Sequence, residues 1–397
     1  MQGWEKEFGL PIFRLQGRTY ADCGELDRWL AEHKTVTAAA VASEEPVAAG
    51  RGWMWWGVAG VALLLMAGLY WWQRAGAAVA YAVQGKTLTM RDRDGREVWR
   101  YELPTAPPEE KRGEHTAARG TFADVDGDGR QEFLYRYWPT DLGKENSGVF
   151  CFREDGTVRW MFRPGKALAM ENGGLVTELY RAEQVGLLAK ARPDGGRVVV
   201  MSNHSWDWPG QMAVLTAEGV EVEEYWHPGW LFSMVVTDVD GDGAEEILAG
   251  GVNNAYGDGE GHGATLVVLD ARDVRGQGSV PAGYQLRVKG VPTGREKRVL
   301  LFPEFARNTN ANYYCHVAQV RTAGKGGVEL VISQGFGEEI YGYPYAHVQL
   351  DGELRVRRVL PGARLAELLD ATLRVNERTP AARGELYRRA VGKARGL

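Results

Sequence analysis

A turn of the form Asp-Gly, followed by Trp four residues past the Gly, occurs twice in this chain, at Asp94-Gly95…Trp99 and Asp155-Gly156…Trp160. Glu218-Gly219 and Asp351-Gly352 are weaker relatives. Each turn joins two short apolar or alternating runs, as Val149-Phe150-Cys151-Phe152 does ahead of Asp155. That is the strand–turn–strand pattern of a β-hairpin. Gly95, Gly156 and Gly219 are 61 and 63 residues apart. A unit of about four strands repeated at such an interval cannot bury its apolar faces alone and must stack on its neighbours as a propeller or a similar array. The 52 glycines suit a domain dense in turns.

Two further segments repeat with identical spacing. Asp124-Val-Asp126-Gly-Asp128-Gly-Arg130-Gln-Glu132 and Asp238-Val-Asp240-Gly-Asp242-Gly-Ala244-Glu-Glu246 carry carboxylates at positions 1, 3, 5 and 9 and Gly at position 6. Alternate residues of a tight loop point inward, so three Asp oxygens, the Glu and the position-7 carbonyl of Arg130 or Ala244 can form the all-oxygen cage that calcium prefers. Carboxylates this close repel one another without a cation between them. The loops are not EF-hands: position 12 is Tyr135 or Ala249 rather than a bidentate Glu. The flanks, Val235-Val236-Thr237 and Ile247-Leu248-Ala249, predict strand–loop–strand. The loops begin 114 residues apart, close to two repeats, and degenerate copies occupy 189–197 and 321–329.

The loops and their flanking strands resemble the FG-GAP/VCBS repeats of integrin-type β-propellers, over roughly residues 80 to 360. The resemblance implies a mainly β fold, a propeller of five to seven blades, structural calcium in blade hairpin loops, and a non-catalytic binding module. The Trp-bearing hairpins are also similar to quinoprotein-type propellers, with no residues that call for a quinone.

Trp53 to Trp72 is a run of twenty residues without a charge. That length crosses a hydrocarbon core of about 30 Å. Trp53, Trp55 and Trp56 at one end and Tyr70, Trp71 and Trp72 at the other fit interfacial aromatic belts. The run predicts a single transmembrane helix over 53–72, tethered through a flexible Ala-rich linker at 35–52. A cleaved signal with Ala78-Val79-Ala80 as its site is the competing reading, but fifty-two residues precede the apolar run. Lys34 and Arg51 before the span and Arg74, Lys86 and Arg91 after it leave the charge rule indecisive. Extracellular-type calcium modules bind with Kd around 10⁻⁴–10⁻³ M, so calcium places the propeller on the extracytoplasmic side and the N-terminus in the cytoplasm.

Residues 1–34 form a small α/β stub. Ile12 to Leu15 and Arg18 to Tyr20 predict two short strands about Gly17, and Asp22 with Glu25 opens a helix through Leu26, Trp29 and Leu30. The stretch resembles the back half of MerR/excisionase-like winged-helix domains, at Trp4 and Glu5, Arg14 to Tyr20, and Glu25 to Leu30. The leading helices of such a domain do not precede Met1, so the stretch is either a remnant or continues from a start further upstream. The resemblance implies an alternative function, a transmembrane regulator coupling an external ligand to DNA. Five Lys/Arg against six Asp/Glu in residues 1–34, and a net charge of −5 for the chain, argue against a nucleic-acid partner. Residues 361–397 predict a helix through Leu365, Leu368, Leu369 and Leu373, then a basic tail.

Motifs of catalysis such as GxSxG, HExxH, CxxC and a Walker loop are missing from the sequence. His204, Trp206, Asp207 and Trp208 form a polar–aromatic group in an expected loop, a candidate site for a protein or carbohydrate ligand. The same group supports a second alternative, an exported carbohydrate-active enzyme. Cys151 and Cys315 both fall in the expected propeller, where export would let them pair.

Overall fold

The structure is a computed structural model. It describes residues 13–15, 18–20, 77–370 and 395–396, except 110–118, 140–146, 205–207, 257–262, 283, 285–286, 303–314, 325 and 335–342. The chain divides into two units, residues 1–74 and 75–397. In the first, strands β1 (Phe13–Leu15) and β2 (Arg18–Tyr20) pair antiparallel. The expected span over 53–72 lies outside the described residues. Among the described residues, no helix is long and apolar enough to cross a membrane.

The second unit is mainly β. Among the described residues, its strands fall into five mainly antiparallel sheets in chain order and one short hairpin. The first sheet holds β3 (Ala80–Gln84), β4 (Thr87–Arg91) and β5 (Glu97–Glu102). The second holds β6 (Gly120–Ala123), β7 (Glu132–Tyr137), β8 (Gly148–Phe152) and β9 (Val158–Phe162). A two-residue hairpin, β10 (Leu168–Ala169) and β11 (Leu175–Val176), leads to the third. That sheet is β12 (Tyr180–Leu187), β13 (Gly196–His204), β14 (Gly210–Thr216) and β15 (Glu221–His227). The fourth is β16 (Gly229–Thr237), β17 (Glu246–Asn253), β18 (Gly263–Asp270) and, after β19 (Gly276–Gln277), β20 (Glu296–Phe302). The fifth is β21 (Cys315–Thr322), β22 (Val328–Gln334), β23 (Tyr345–Leu350) and β24 (Val356–Pro361). Helix α1 (Ala363–Asp370) follows. β19 extends the third sheet in parallel, and β25 (Arg395–Gly396) extends the fourth.

Middle strands of the second, third and fourth sheets are buried on both faces, whereas β4 and β23 in the first and fifth alternate. In β17, Ile247 and Ala249 face the core shared with the third sheet, while Leu248 faces the core shared with the fifth. The alternation of a strand therefore reads as a continuous apolar run when both sides are covered. Apolar cores join the first sheet to the second, the second to the third, and so on to the fifth. Among the described residues, none joins the fifth to the first.

The Asp-Gly turns explain the repeat. Trp99, on the last strand of the first sheet, lies on Gly156 in the last turn of the second, where a Cβ would sit 2.7 Å from the indole. Trp160 lies on Gly219 of the third sheet in the same way, at 2.5 Å. Its Nε1–H donates to Ala217 O at 2.8 Å. Both glycines have positive φ, +81° and +78°. The turns at Gly156 and Gly219 thus each seat the Trp of the sheet before.

A second joint recurs along the first strands. β12, β16 and β21 each carry a bulge, after Ala182, Leu231 and Val317. The residue just past the bulge reaches the next sheet: Gln184 Oε1 accepts the Met234 N–H, and Ser233 Oγ accepts the Val320 N–H at 3.0 Å. Gln319 holds the same position in the fifth sheet, and among the described residues its buried Oε1 has no hydrogen-bond partner.

Cys151 and Cys315 are not bonded to each other, and both are buried. Cys151 packs between the second and third sheets and Cys315 between the fourth and fifth, so different cores hold them apart. Burial pushes the Cys151 thiol up to about 12.

Candidate metal centres

Both acidic segments connect the first two strands of their sheets, β6 to β7 and β16 to β17. The degenerate stretches at 189–197 and 321–329 span the equivalent connections of the third and fifth sheets. The two acidic loops match bond for bond. Asp124 accepts the N–H groups of Gly127 (2.6 Å) and Gly129 (3.0 Å), as Asp238 accepts those of Gly241 (2.7 Å) and Gly243 (3.0 Å). Asp126 accepts the Asp128 N–H at 3.1 Å and Asp240 the Asp242 N–H at 3.2 Å. Glu132 and Glu246 each accept the N–H of the residue after the first Asp, Val125 or Val239, at 2.9 Å. Such side-chain-to-backbone bonds are what Asp supplies in tight turns. Glycine stands at position 4 as well as 6, and all four of these glycines have positive φ.

The folding of each loop brings three carboxylates together. One oxygen from each of Asp124, Asp126 and Glu132 lies within 4.8 Å of the others, and Asp238, Asp240 and Glu246 do the same. Asp128 and Asp242 stand outside these groups and accept the N–H of Arg130 (2.7 Å) and Ala244 (2.8 Å). Glu132 and Glu246 are buried, and burial raises the pKa of Glu132. The donor set is all oxygen, which fits a hard divalent cation.

Each group also faces a basic side chain that the sequence reading passed over. Lys297, on β20, places Nζ 2.6 Å from Glu246 Oε1, 2.7 Å from Asp240 Oδ2 and 3.9 Å from Asp242 Oδ2. Arg159, on β9, contacts Asp126 Oδ2 and lies 3.6 Å from Glu132 Oε1. Hydrogen bonds from Arg159 and Lys297 hold the Asp126 and Asp240 carboxyls below their ordinary range. Burial opposes the Lys297 charge, but its bonds to Asp240 and Glu246 outweigh that and raise its pKa. No fixed spacing could have disclosed these partners, since Arg159 follows Glu132 by 27 residues and Lys297 follows Glu246 by 51. A cavity of about 370 Å³ beside the second loop is lined by Asp240, Lys297, Arg298, Glu353 and Arg355, among others.

The candidate ligand residues sit elsewhere. Arg197, at the start of β13, reaches Asp124 O at 3.3 Å, so that end of the third sheet lies beside the first loop. His204 ends the same strand, about 20 Å away at ~3.3 Å per residue. It is buried, with Nε2 2.9 Å from Thr177 Oγ1 and its ring against Tyr180. Trp208 is half-buried before a cis Pro209, and Trp206 and Asp207 lie outside the described residues. Trp138 follows β7 with the Arg119 guanidinium 4.1 Å above its ring, and Arg136 and Arg181 at 5.8 and 5.6 Å. The sequence reading did not flag this cationic–aromatic stack.

No protein-family model matches the chain, and no curated protein does. Among solved structures, a protein of unknown function from Bacteroides caccae is 15% identical, with a TM-score of 0.27, over 71% of this chain and 93% of that one. A quinoprotein alcohol dehydrogenase-like protein from Bacteroides thetaiotaomicron is 8% identical, with a TM-score of 0.21, over 72% and 76% of the two chains. A lignostilbene dioxygenase from Pseudomonas brassicacearum is 13% identical, with a TM-score of 0.22, over 70% of each chain. Likenesses this distant carry no argument about function, which rests on the chain's own residues.

Proposed function

We propose that residues 80–360 form a calcium-stabilised, propeller-type binding module of the FG-GAP/VCBS kind. In this reading the five sheets are its blades, and a helix over 53–72 anchors it in a membrane with the module on the extracytoplasmic side. The observation that carries the metal assignment is the bond-for-bond identity of the two loops and their three-carboxylate groups. Asp124, Asp126 and Glu132 would hold one ion and Asp238, Asp240 and Glu246 the other. The ion supplies charge neutralisation where β6 meets β7 and where β16 meets β17. With Kd in the extracellular range, about 1 mM calcium adds about 0.4–1.4 kcal/mol of stability per site. The ligand class is a protein or carbohydrate, and the end of the sheets near His204, Trp208 and Trp138 is the surface we assign to it. The test is the melting temperature of the full-length chain in detergent, with 2 mM calcium and with a chelator. Calcium is expected to raise the Tm, and an unchanged Tm counts against the metal reading.

A further inference from the structure

The last strand of every sheet carries one residue that falls out of the ladder at the same place. It is Val98 in the first sheet, Arg159 in the second, Val222 in the third, Lys297 in the fourth and Arg357 in the fifth. A bulge of this kind re-aims its side chain off the ordinary alternation. In the two sheets that own an intact acidic loop, the bulge residue is a cation aimed at that loop. In the first and third sheets, which have no such loop, it is valine. In the fifth, where the loop is degenerate, Arg357 turns instead to Asp351, 2.5 Å away. Each intact acidic loop is therefore faced by a basic bulge of its own sheet, while the basic bulge of the fifth sheet is taken up by Asp351.

We infer that Arg159 and Lys297 are resident counter-cations, which keep the loops folded without metal and must be displaced from their carboxylates when a divalent ion binds. This rests on the metal reading above. Lys297 Nζ bonds two of the three carboxylates that would hold the ion, Asp240 and Glu246. An ammonium and a divalent cation cannot share those oxygens without strong repulsion. The loop's nine residues carry five carboxylates, and the resident charge lowers their net charge from −5 to −4. It thereby lowers the affinity for metal while it limits the damage when metal is lost. The adjoining cavity gives the lysine a place to swing into, because Lys297 lines it.

The test is isothermal titration of calcium chloride into the full-length wild type, Lys297→Met and Lys297→Arg. The Met variant is expected to bind one of its two ions about tenfold tighter, a change of about 1.4 kcal/mol, and to lose Tm in chelator. The Arg variant keeps the charge and is expected to stay near the wild type. A second measurement needs no variant: acetic anhydride labelling of the wild type should modify Lys297 faster with calcium than with chelator. Unchanged affinity in Lys297→Met together with labelling that calcium does not affect overturns the displacement while leaving the metal reading intact. No calcium heat from the wild type or either variant overturns both.

Discussion

Replacing Gly219 by alanine tests how the sheets are joined. Gly219 has φ +78°, and a Cβ there would lie 2.5 Å from Trp160 Cγ and 3.0 Å from its Cβ. Two costs add. An L-residue at positive φ costs about 1–2 kcal/mol, and forcing an atom into a packed contact costs about 1–3 kcal/mol more. Gly95 supplies the control, because it is the same turn in the first sheet, with φ +79° and nothing within 4 Å of a Cβ. Gly95→Ala should cost only the conformational part, about 1–2 kcal/mol, and Gly219→Ala about 2–5 kcal/mol. Gly156→Ala should resemble Gly219→Ala, since Trp99 lies 2.7 Å from its Cβ position. Urea unfolding followed by circular dichroism reads all three. Equal losses for Gly95→Ala and Gly219→Ala would refute the docking of each Trp on the next sheet's turn.

Two further outcomes follow from buried polar groups. Gln184→Met strands the Met234 N–H in the joint and should cost about 1–3 kcal/mol, whereas Gln319→Met removes an acceptor that has no partner among the described residues and should be neutral or stabilising; urea midpoints of the two variants decide it. His227 is fully buried with Nε2 on Val252 O at 2.9 Å, and burial pushes its pKa from 6.5 down to about 4. The unfolded chain takes up a proton below about 6.5 and the folded one only below about 4. This contribution is therefore whole above pH 6.5 and is lost as pH falls through that window, to a total of about 3 kcal/mol. Unfolding free energies at pH 7 and 5 should show a loss that His227→Phe lacks.

Much of the architecture was legible in the residues. The Asp-Gly hairpins announce their strands because a turn that needs positive φ restricts its residues locally. The acidic loops are legible for the same reason, each being a nine-residue contact with itself. What could not be read is the partner of each local feature. Trp160 stands four residues past Gly156, which invites a pairing within one hairpin, yet the glycine it covers is Gly219 of the following sheet. Arg159 and Lys297 reach their loops only because the sheet folds back on itself and a bulge re-aims them. His204, expected in a ligand-binding loop, is buried at the end of β13, since the strand runs further than its polar residues suggest. The cysteines share a sequence region but not a core.

The central claim is that two loops each hold one calcium ion, and counting ions tests it most directly. Full-length protein dialysed against 2 mM calcium would be analysed by mass spectrometry for metal per chain, for the wild type, Asp124→Ala, Asp238→Ala and the double variant. The account predicts two, one, one and none. A wild type that retains no calcium, or single variants that retain as much as the wild type, would contradict it.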